Sequence, residues 1–300
     1  MSTPNYVNLG GKLITLLLIG LMVACGTDKK KVDDASKEFA ASKSKVEQKV
    51  QKALRNIPPP ADVPYIIHNT GADFNPGIVN SLNKYEEYMI SPKKAAFNLG
   101  IYSTDIGYLS SYGKTQEALS YLDICLKLTE AIGAQDAIDM KVLARFEGNL
   151  SNTDSLGAII NEVINNSSNY LTSNDRDNVA ALIVSGSYIE AIYVASQIIE
   201  TYPKDILPED QRMTILAPLI RLMVDQRESL KDVVHLLKSV DNKDEWIVAT
   251  TNSLEELYEN YKKFNPEEKI KDGKGNEVLN DEVFARLSKQ IKKIRSNIVY

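Results

Sequence analysis

Residues 91–133 read SPKKAAFNLGIYSTDIGYLSSYGKTQEALSYLDICLKLTEAIG, and this stretch decides the fold class. Ser91-Pro92 is a typical helix start, because a serine oxygen can cap free amide groups and a proline at the first helical position leaves no amide unpaired. Gly113 and Gly133 are typical helix ends, since glycine adopts the left-handed conformation cheaply. The stretch therefore predicts two antiparallel helices, Pro92 to about Tyr112 and Lys114 to Ile132, joined by a tight turn.

Helical periodicity continues on both sides of this hairpin. Residues 37–57 predict an N-terminal amphipathic helix that ends at Pro58-Pro59-Pro60, and residues 61–90 predict short helices and loops. Further helices are predicted at about 135–147, 153–165, 174–201, 208–240, 243–264 and 280–297. At most one small β-hairpin is expected, at 269–279. The prediction is one all-α domain over 37–300, with its helical core at 91–264.

Two architectures stay open within the all-α class. Gly186-Ser187-Tyr188-Ile189-Glu190-Ala191 matches the second helix of a tetratricopeptide repeat at its Gly, Tyr and Ala positions. However, Asn178 and Val179 stand where the first helix of that repeat has Leu-Gly. The sequence is compatible with an irregular helical bundle or with an array of helical hairpins like tetratricopeptide repeats.

The N-terminal residues predict export. Lys12 precedes the apolar run Leu13 to Ala24, which is too short to span a bilayer as a helix but suits a signal peptide. Leu21-Met22-Val23-Ala24-Cys25 resembles the lipobox of bacterial lipoproteins, in which the cysteine receives a diacylglycerol, the signal is cut before it, and the new amino group is acylated, for example with palmitate. This resemblance implies a signal peptide at 1–24, lipidation of Cys25, and a membrane as partner through the lipid. Residues 25–36 are small and charged, which predicts a solvated tether. Gly26 after the cysteine is compatible with sorting to the outer membrane, on its periplasmic or its surface face.

Charge and cysteine content exclude several classes of protein. The chain has 35 basic and 40 acidic residues and no basic block, which argues against nucleic acid as a partner. Cys125 is the second of two cysteines and lies among leucines, where a thiol usually acts as a small apolar group. The two histidines, His68 and His235, have no second imidazole or cysteine at ligand spacing, so no metal site and no cofactor are predicted.

The chain also resembles an all-helical lipoprotein family of Bacteroidota. The resemblance is carried by residues 96–108 (AFNLGIYSTDIGY), 113–117 (GKTQE) and 186–193 (GSYIEAIY), with the lipobox and the ending Arg295-Ser296-Asn297-Ile298. It implies a location in the cell envelope and a helical fold. It implies no activity and no site residues.

Two carboxylates stand out because each lies within an apolar helical stretch beside tyrosines. Asp105 lies between Tyr102 and Tyr108, and Glu190 lies between Tyr188 and Tyr193. Burying a carboxylate is costly unless it is hydrogen-bonded, so inward-facing carboxylates should meet tyrosine hydroxyls or free backbone groups. One interpretation is that they specify helix packing or lie on an exposed face. The other is a tyrosine-lined cleft for a small molecule, peptide or glycan.

Catalytic motifs are weak in comparison. Ser91 to Lys94 spells Ser-x-x-Lys, but no Lys-Thr-Gly accompanies it, and helix capping explains the serine. No other residues suggest a catalytic group. The sequence therefore predicts a non-enzymatic lipoprotein, a scaffold or binding subunit with a protein partner in the envelope; the ligand-binding cleft is the alternative.

Overall fold

A computed structural model describes residues 45, 48–53, 66–67, 69–137, 144–146, 148–149, 153–173, 176–264, 266, 269 and 276–299 of the chain. The chain divides into two units, Met1–Ser42 and Lys43–Tyr300, and every described residue lies in the second. The predicted signal peptide 1–24, Cys25, the predicted tether 25–36 and His68 lie outside the described residues.

The described backbone is helical. Short 3-10 helices lie at Leu82–Lys84 and Gln135–Ala137. The α-helices are, in chain order, α1 Tyr85–Met89, α2 Pro92–Ser111, α3 Thr115–Ala131, α4 Thr153–Ser173, α5 Asp177–Thr201, α6 Glu209–Ser239, α7 Glu245–Tyr261, α8 Asn276–Leu279 and α9 Glu282–Val299.

These helices pack against each other as an all-α bundle, which confirms the predicted fold class. No β-strand occurs among the described residues. The hairpin considered at 269–279 is wrong in its second half, because Asn276–Leu279 forms α8. Residues 270–275, which include the expected turn, lie outside the described part.

The hairpin of α2 and α3 is confirmed to within a residue or two at each end, and glycines at positive φ follow both helices, Gly113 at 64° and Gly133 at 63°. One detail differs, because Ser91 occupies the cap position of α2 without a capping hydrogen bond from its side chain. Pro92 at the first position therefore sets the start of this helix.

The helix α4 is longer than predicted, ending at Ser173 where the sequence suggested an end near residue 165. Asn and Ser residues at 165–169 have weak helix propensity, but Ser167 and Ser168 are buried at 1% and 0% exposure. Packing therefore overrides local preference here. Residues 48–53 are helical as predicted, and Gln51 and Lys52 bond to Asn169 on α4 and Asp232 on α6.

The centre of the bundle is the crossing of α2 and α5, which share the most extensive helix contact. A Cβ atom at Gly100 would lie 2.1 Å from the Ile183 carbonyl oxygen, and one at Gly186 would lie 2.0 Å from the Phe97 carbonyl oxygen. Only glycine allows the two backbones to approach this closely. The Ser187 hydroxyl then donates to the Gly100 carbonyl at 3.2 Å across the crossing.

Gly186 lies inside one unbroken helix, since α5 runs from Asp177 to Thr201. It therefore does not occupy the turn that precedes the second helix of a tetratricopeptide repeat, and the bundle describes this segment better than the repeat does. By length and composition alone α5 could cross a membrane, yet 89% of its most apolar 18-residue window is buried in the fold. A helix that is apolar on all sides and covered by its neighbours is a core helix.

Candidate functional site

The crossing of α2 and α5 brings Asp105 and Glu190 together. Asp105 lies five residues after Gly100 on α2, and Glu190 lies four residues after Gly186 on α5, so each is about one turn beyond the contact. Both side chains are 0% exposed. Both carboxylates therefore lie in the interior, close to the contact between the two helices that Gly100 and Gly186 permit.

Arg295 of α9 supplies the positive charge. Its Nε donates to Glu190 Oε2 at 3.0 Å and its Nη2 donates to Glu190 Oε1 at 3.1 Å. This is a bidentate pair, the arrangement in which guanidinium and carboxylate fit best. The guanidinium also lies 4.7 Å from the ring centroid of Tyr193, and Nη2 reaches the Ile78 carbonyl oxygen at 3.4 Å.

Asp105 is held differently, by backbone rather than by a cation. Its Oδ2 accepts from the Asn80 backbone N–H at 3.0 Å, while its Oδ1 accepts no hydrogen bond from a donor among the described residues. Burial, and then the neighbouring Glu190 carboxylate, raise the pKa of Asp105 well above its usual value, although Arg295 opposes this. One guanidinium balances one carboxylate, so we expect the cluster to be neutral with the extra proton on Asp105, facing Glu190.

The tyrosines of α2 and α3 bind one irregular segment, Asn75–Ser81, which we call the clamped segment. Tyr108 Oη accepts from the Asn75 N–H at 3.0 Å, Tyr121 Oη donates to the Asn80 carbonyl, and Tyr102 Oη donates to the Ser81 carbonyl at 2.7 Å. Together with Asp105 and Arg295, these tyrosines are five side chains from three helices that hydrogen-bond to backbone groups of the clamped segment, which has no regular secondary structure. Buried backbone groups need such partners, which explains why polar residues occur in these apolar helices.

Tyr188 belongs to another part of the core. Its hydroxyl donates to the Gln226 carbonyl oxygen on α6 at 3.1 Å. Cys125 is buried at 2% exposure, as expected for a small apolar side chain, and burial raises the pKa of its thiol to about 12. The thiol lies 3.7 Å from the Ser103 hydroxyl.

The six residues singled out from the sequence are buried and do not line a cleft open to solvent. They are at most 5% exposed: Tyr102, Asp105, Tyr108, Tyr188, Glu190 and Tyr193. Five of them surround Arg295 and the clamped segment, and Tyr188 does not. A ligand that contacts these residues would first have to displace the clamped segment. Ligand binding at these residues stays a prediction.

Arg295 is the residue that sequence reasoning missed. In the sequence it appears only as part of the helical ending Arg295-Ser296-Asn297-Ile298, and nothing in its spacing pairs it with Glu190. A signal was present, because the apolar face of α9 contains Phe284, Leu287, Ser288, Ile291 and Ile294, and Arg295 falls on that face four residues after Ile291. A basic residue on an apolar helical face indicates a buried acidic partner.

The described residues contain no group of three or more His, Cys, Asp or Glu side chains placed to hold a metal ion. The chemistry of the cluster is therefore that of two carboxylates, one guanidinium and several tyrosine hydroxyls. Their polar atoms are directed at each other and at the chain's own backbone. Such a cluster fixes helix register and holds the clamped segment in place.

Comparison with known proteins adds no relative: no family model, no curated protein and no solved structure matches this chain.

Proposed function

We propose that the protein is a lipid-anchored, non-enzymatic protein of the bacterial cell envelope, acting as a scaffold or binding subunit. The single observation that carries the proposal is the sequence Leu21-Met22-Val23-Ala24-Cys25 after an apolar run of signal-peptide length. The membrane in question is the outer membrane, on its periplasmic or its surface face, because Gly26 is compatible with that sorting.

Physical chemistry supports stable anchoring by this motif. One acyl chain holds a protein only marginally, whereas two or more chains anchor it stably, at roughly 0.8 kcal/mol for each buried methylene. A lipidated and acylated Cys25 would carry several chains. The short charged tether that follows would let the helical body stand off the bilayer.

The binding role is supported by the way the interior is organised. Most polar groups of the interior hydrogen-bond to other groups of this chain, namely the buried carboxylates, the arginine and most of the core tyrosines. These interior groups therefore stabilise the bundle. A stable helical body on a lipid anchor leaves its outer surface for a partner. That partner is expected to be another protein of the envelope.

Fractionation of cells tests the anchoring. The wild-type chain should stay with membranes through a high-salt wash and be released by detergent. Cys25→Ala cannot be lipidated or cut before residue 25, so it should accumulate as the longer precursor and incorporate no labelled palmitate. Cys125→Ala, the matched cysteine control, should be shortened and labelled like the wild type. A Cys25→Ala protein that is shortened and labelled with palmitate like the wild type would contradict the proposal.

Crosslinking in cells tests the binding role separately. Membranes crosslinked before detergent extraction should yield a reproducible adduct with the wild-type chain that is weaker with Cys25→Ala, since a variant without the lipid is not sorted to the outer membrane. Absence of any reproducible adduct would overturn the scaffold role and leave the anchoring unaffected.

A further inference from the structure

A cavity of about 190 Å³ lies where the end of α5, the start of α6 and the first half of α9 meet. It is distinct from the buried cluster of Asp105, Glu190 and Arg295, and none of those residues lines it. A dry cavity of about 150 Å³ can hold benzene, so this one is large enough for a single amino acid.

Arg212 of α6 is the buried cation of the cavity, and Lys204, which also lines it, is exposed. Arg212 is only 8% exposed, and its Nη1 donates to the Lys204 backbone carbonyl at 3.2 Å. None of the ion pairs among the described residues involves Arg212, so no described carboxylate lies within 4.0 Å of it. A buried charge without a counterion is costly, and an anion entering the cavity would relieve that cost.

The nearby acidic groups have other partners. The Glu209 carboxylate accepts from Asn280 Nδ2 at 2.9 Å, which ties the start of α6 to the turn between α8 and α9. Glu200, which lines the cavity, accepts through Oε2 from Gln197 Nε2 at 2.9 Å and from Ser288 Oγ at 3.0 Å. These two hydrogen bonds orient the exposed Glu200 side chain, and its Oε1 accepts no hydrogen bond from the described residues.

Part of the lining is apolar, namely Ile199, Leu216, Phe284 and Ala285, and Tyr202, Asn280 and Ser288 add polar atoms. The cavity therefore offers a buried guanidinium, a hydrogen-bonded carboxylate and a partly apolar wall. A small pocket with an apolar lining and a few fixed polar groups is the usual form of a small-molecule site.

We infer that this cavity binds a free α-amino acid with an apolar side chain. The ligand carboxylate would pair with Arg212, its ammonium group with Glu200, and its side chain would lie against Leu216 and Phe284. This inference goes beyond the proposed anchoring, and it requires neither the lipid nor a protein partner.

Calorimetric titration of the full chain with L-leucine tests the site. We expect saturable binding by the wild type, weakened on the order of tenfold to a hundredfold in Arg212→Gln, since hydrogen bonds to charged groups contribute that much. Arg212→Lys keeps the charge and should lose less. Arg227→Gln, which changes an exposed arginine of the same helix, should bind like the wild type.

Two analogues of L-leucine separate the contribution of its ammonium group to binding from that of its carboxylate. 4-Methylpentanoate lacks the ammonium group and 3-methylbutylamine lacks the carboxylate, and each should bind at least about tenfold more weakly than L-leucine. Thermal unfolding of each variant verifies that it is folded. The inference is overturned by no saturable binding of L-leucine to the wild type, by equal binding to Arg212→Gln, or by an analogue that binds as tightly as the amino acid. None of these outcomes affects the fractionation result.

Discussion

Arg295 donates two hydrogen bonds to the carboxylate of Glu190 in the interior of the bundle, at 3.0 and 3.1 Å, across 105 residues of sequence. The pair joins the last helix of the fold to its central helix. Asp105 lies next to Glu190 and binds the backbone of Asn80. Three distant parts of the chain therefore meet at one charged cluster, and its members should respond differently to substitution.

Removing the charge of Glu190 should be severe. Glu190→Gln leaves the Arg295 guanidinium buried without its counterion, for which the typical cost is about 3–5 kcal/mol of unfolding free energy. Asp105→Asn keeps an acceptor for the Asn80 N–H and resembles a protonated aspartate, so its cost should be below about 1 kcal/mol. Urea unfolding of both variants measures the difference. Equal losses would contradict the charge assignment.

The stability of the wild type should also depend on pH through Asp105. Because burial and Glu190 raise the pKa of Asp105, the folded protein keeps this proton at pH values where the unfolded chain has lost it. The stabilisation is complete below about pH 4, the ordinary pKa of an aspartate, and is lost as pH rises through the folded pKa. The free energy of unfolding of the wild type, relative to Asp105→Asn, should therefore fall as pH rises from about 4. A difference that is flat or increases with pH would show that Asp105 is not the protonated partner.

The clamped segment should loosen when one tyrosine hydroxyl is removed. Tyr121→Phe leaves the Asn80 carbonyl without its donor at a cost of about 1–3 kcal/mol, and amides 75–81 should exchange faster with solvent. Tyr85→Phe is the control, since that hydroxyl bonds to Glu86 at an exposed position. Hydrogen exchange read by mass spectrometry compares the two. Unchanged exchange at 75–81 in Tyr121→Phe would mean that the hydroxyl does not hold the segment.

At the glycine contact between α2 and α5, replacing glycine by alanine should destabilise the fold, whereas the same replacement usually stabilises a helix. Alanine stabilises an exposed helical position by about 1 kcal/mol relative to glycine, and Gly148→Ala should show this, because its added Cβ meets nothing within 4 Å. Gly186→Ala should instead lose at least about 1–3 kcal/mol, since its Cβ would overlap the Phe97 carbonyl. Thermal unfolding provides the comparison, and stabilisation of Gly186→Ala would rule out the close crossing.

Much of the bundle could be predicted because its signals are local. Pro92, Gly113 and Gly133 mark helix ends through backbone conformations that these residues favour, and the structure places the ends beside them. The polar residues Asp105 and Glu190 were identified because carboxylates are rare in apolar helices.

The partners of these carboxylates could not be predicted in the same way. Glu190 meets Arg295 across 105 residues and Arg295 meets Ile78 across 217, and spacing along the chain does not encode such pairings. The clamped segment has no periodic pattern in its sequence. That its backbone groups pair with five helical side chains can be seen only in the three-dimensional structure. Polar residues within apolar helices are expected both where they line a cleft and where they pair with buried backbone of the same chain, so the sequence does not distinguish the two.

The mass of the purified chain tests the proposed lipid on Cys25 most directly. Protein extracted from membranes is unfolded, treated with iodoacetamide and measured by intact-mass spectrometry. Cys125, which is buried when folded, becomes available on unfolding. We predict a chain that begins at Cys25, carries the mass of its acyl groups and takes up one carbamidomethyl group. A chain with two carbamidomethyl groups and no lipid mass would contradict the account.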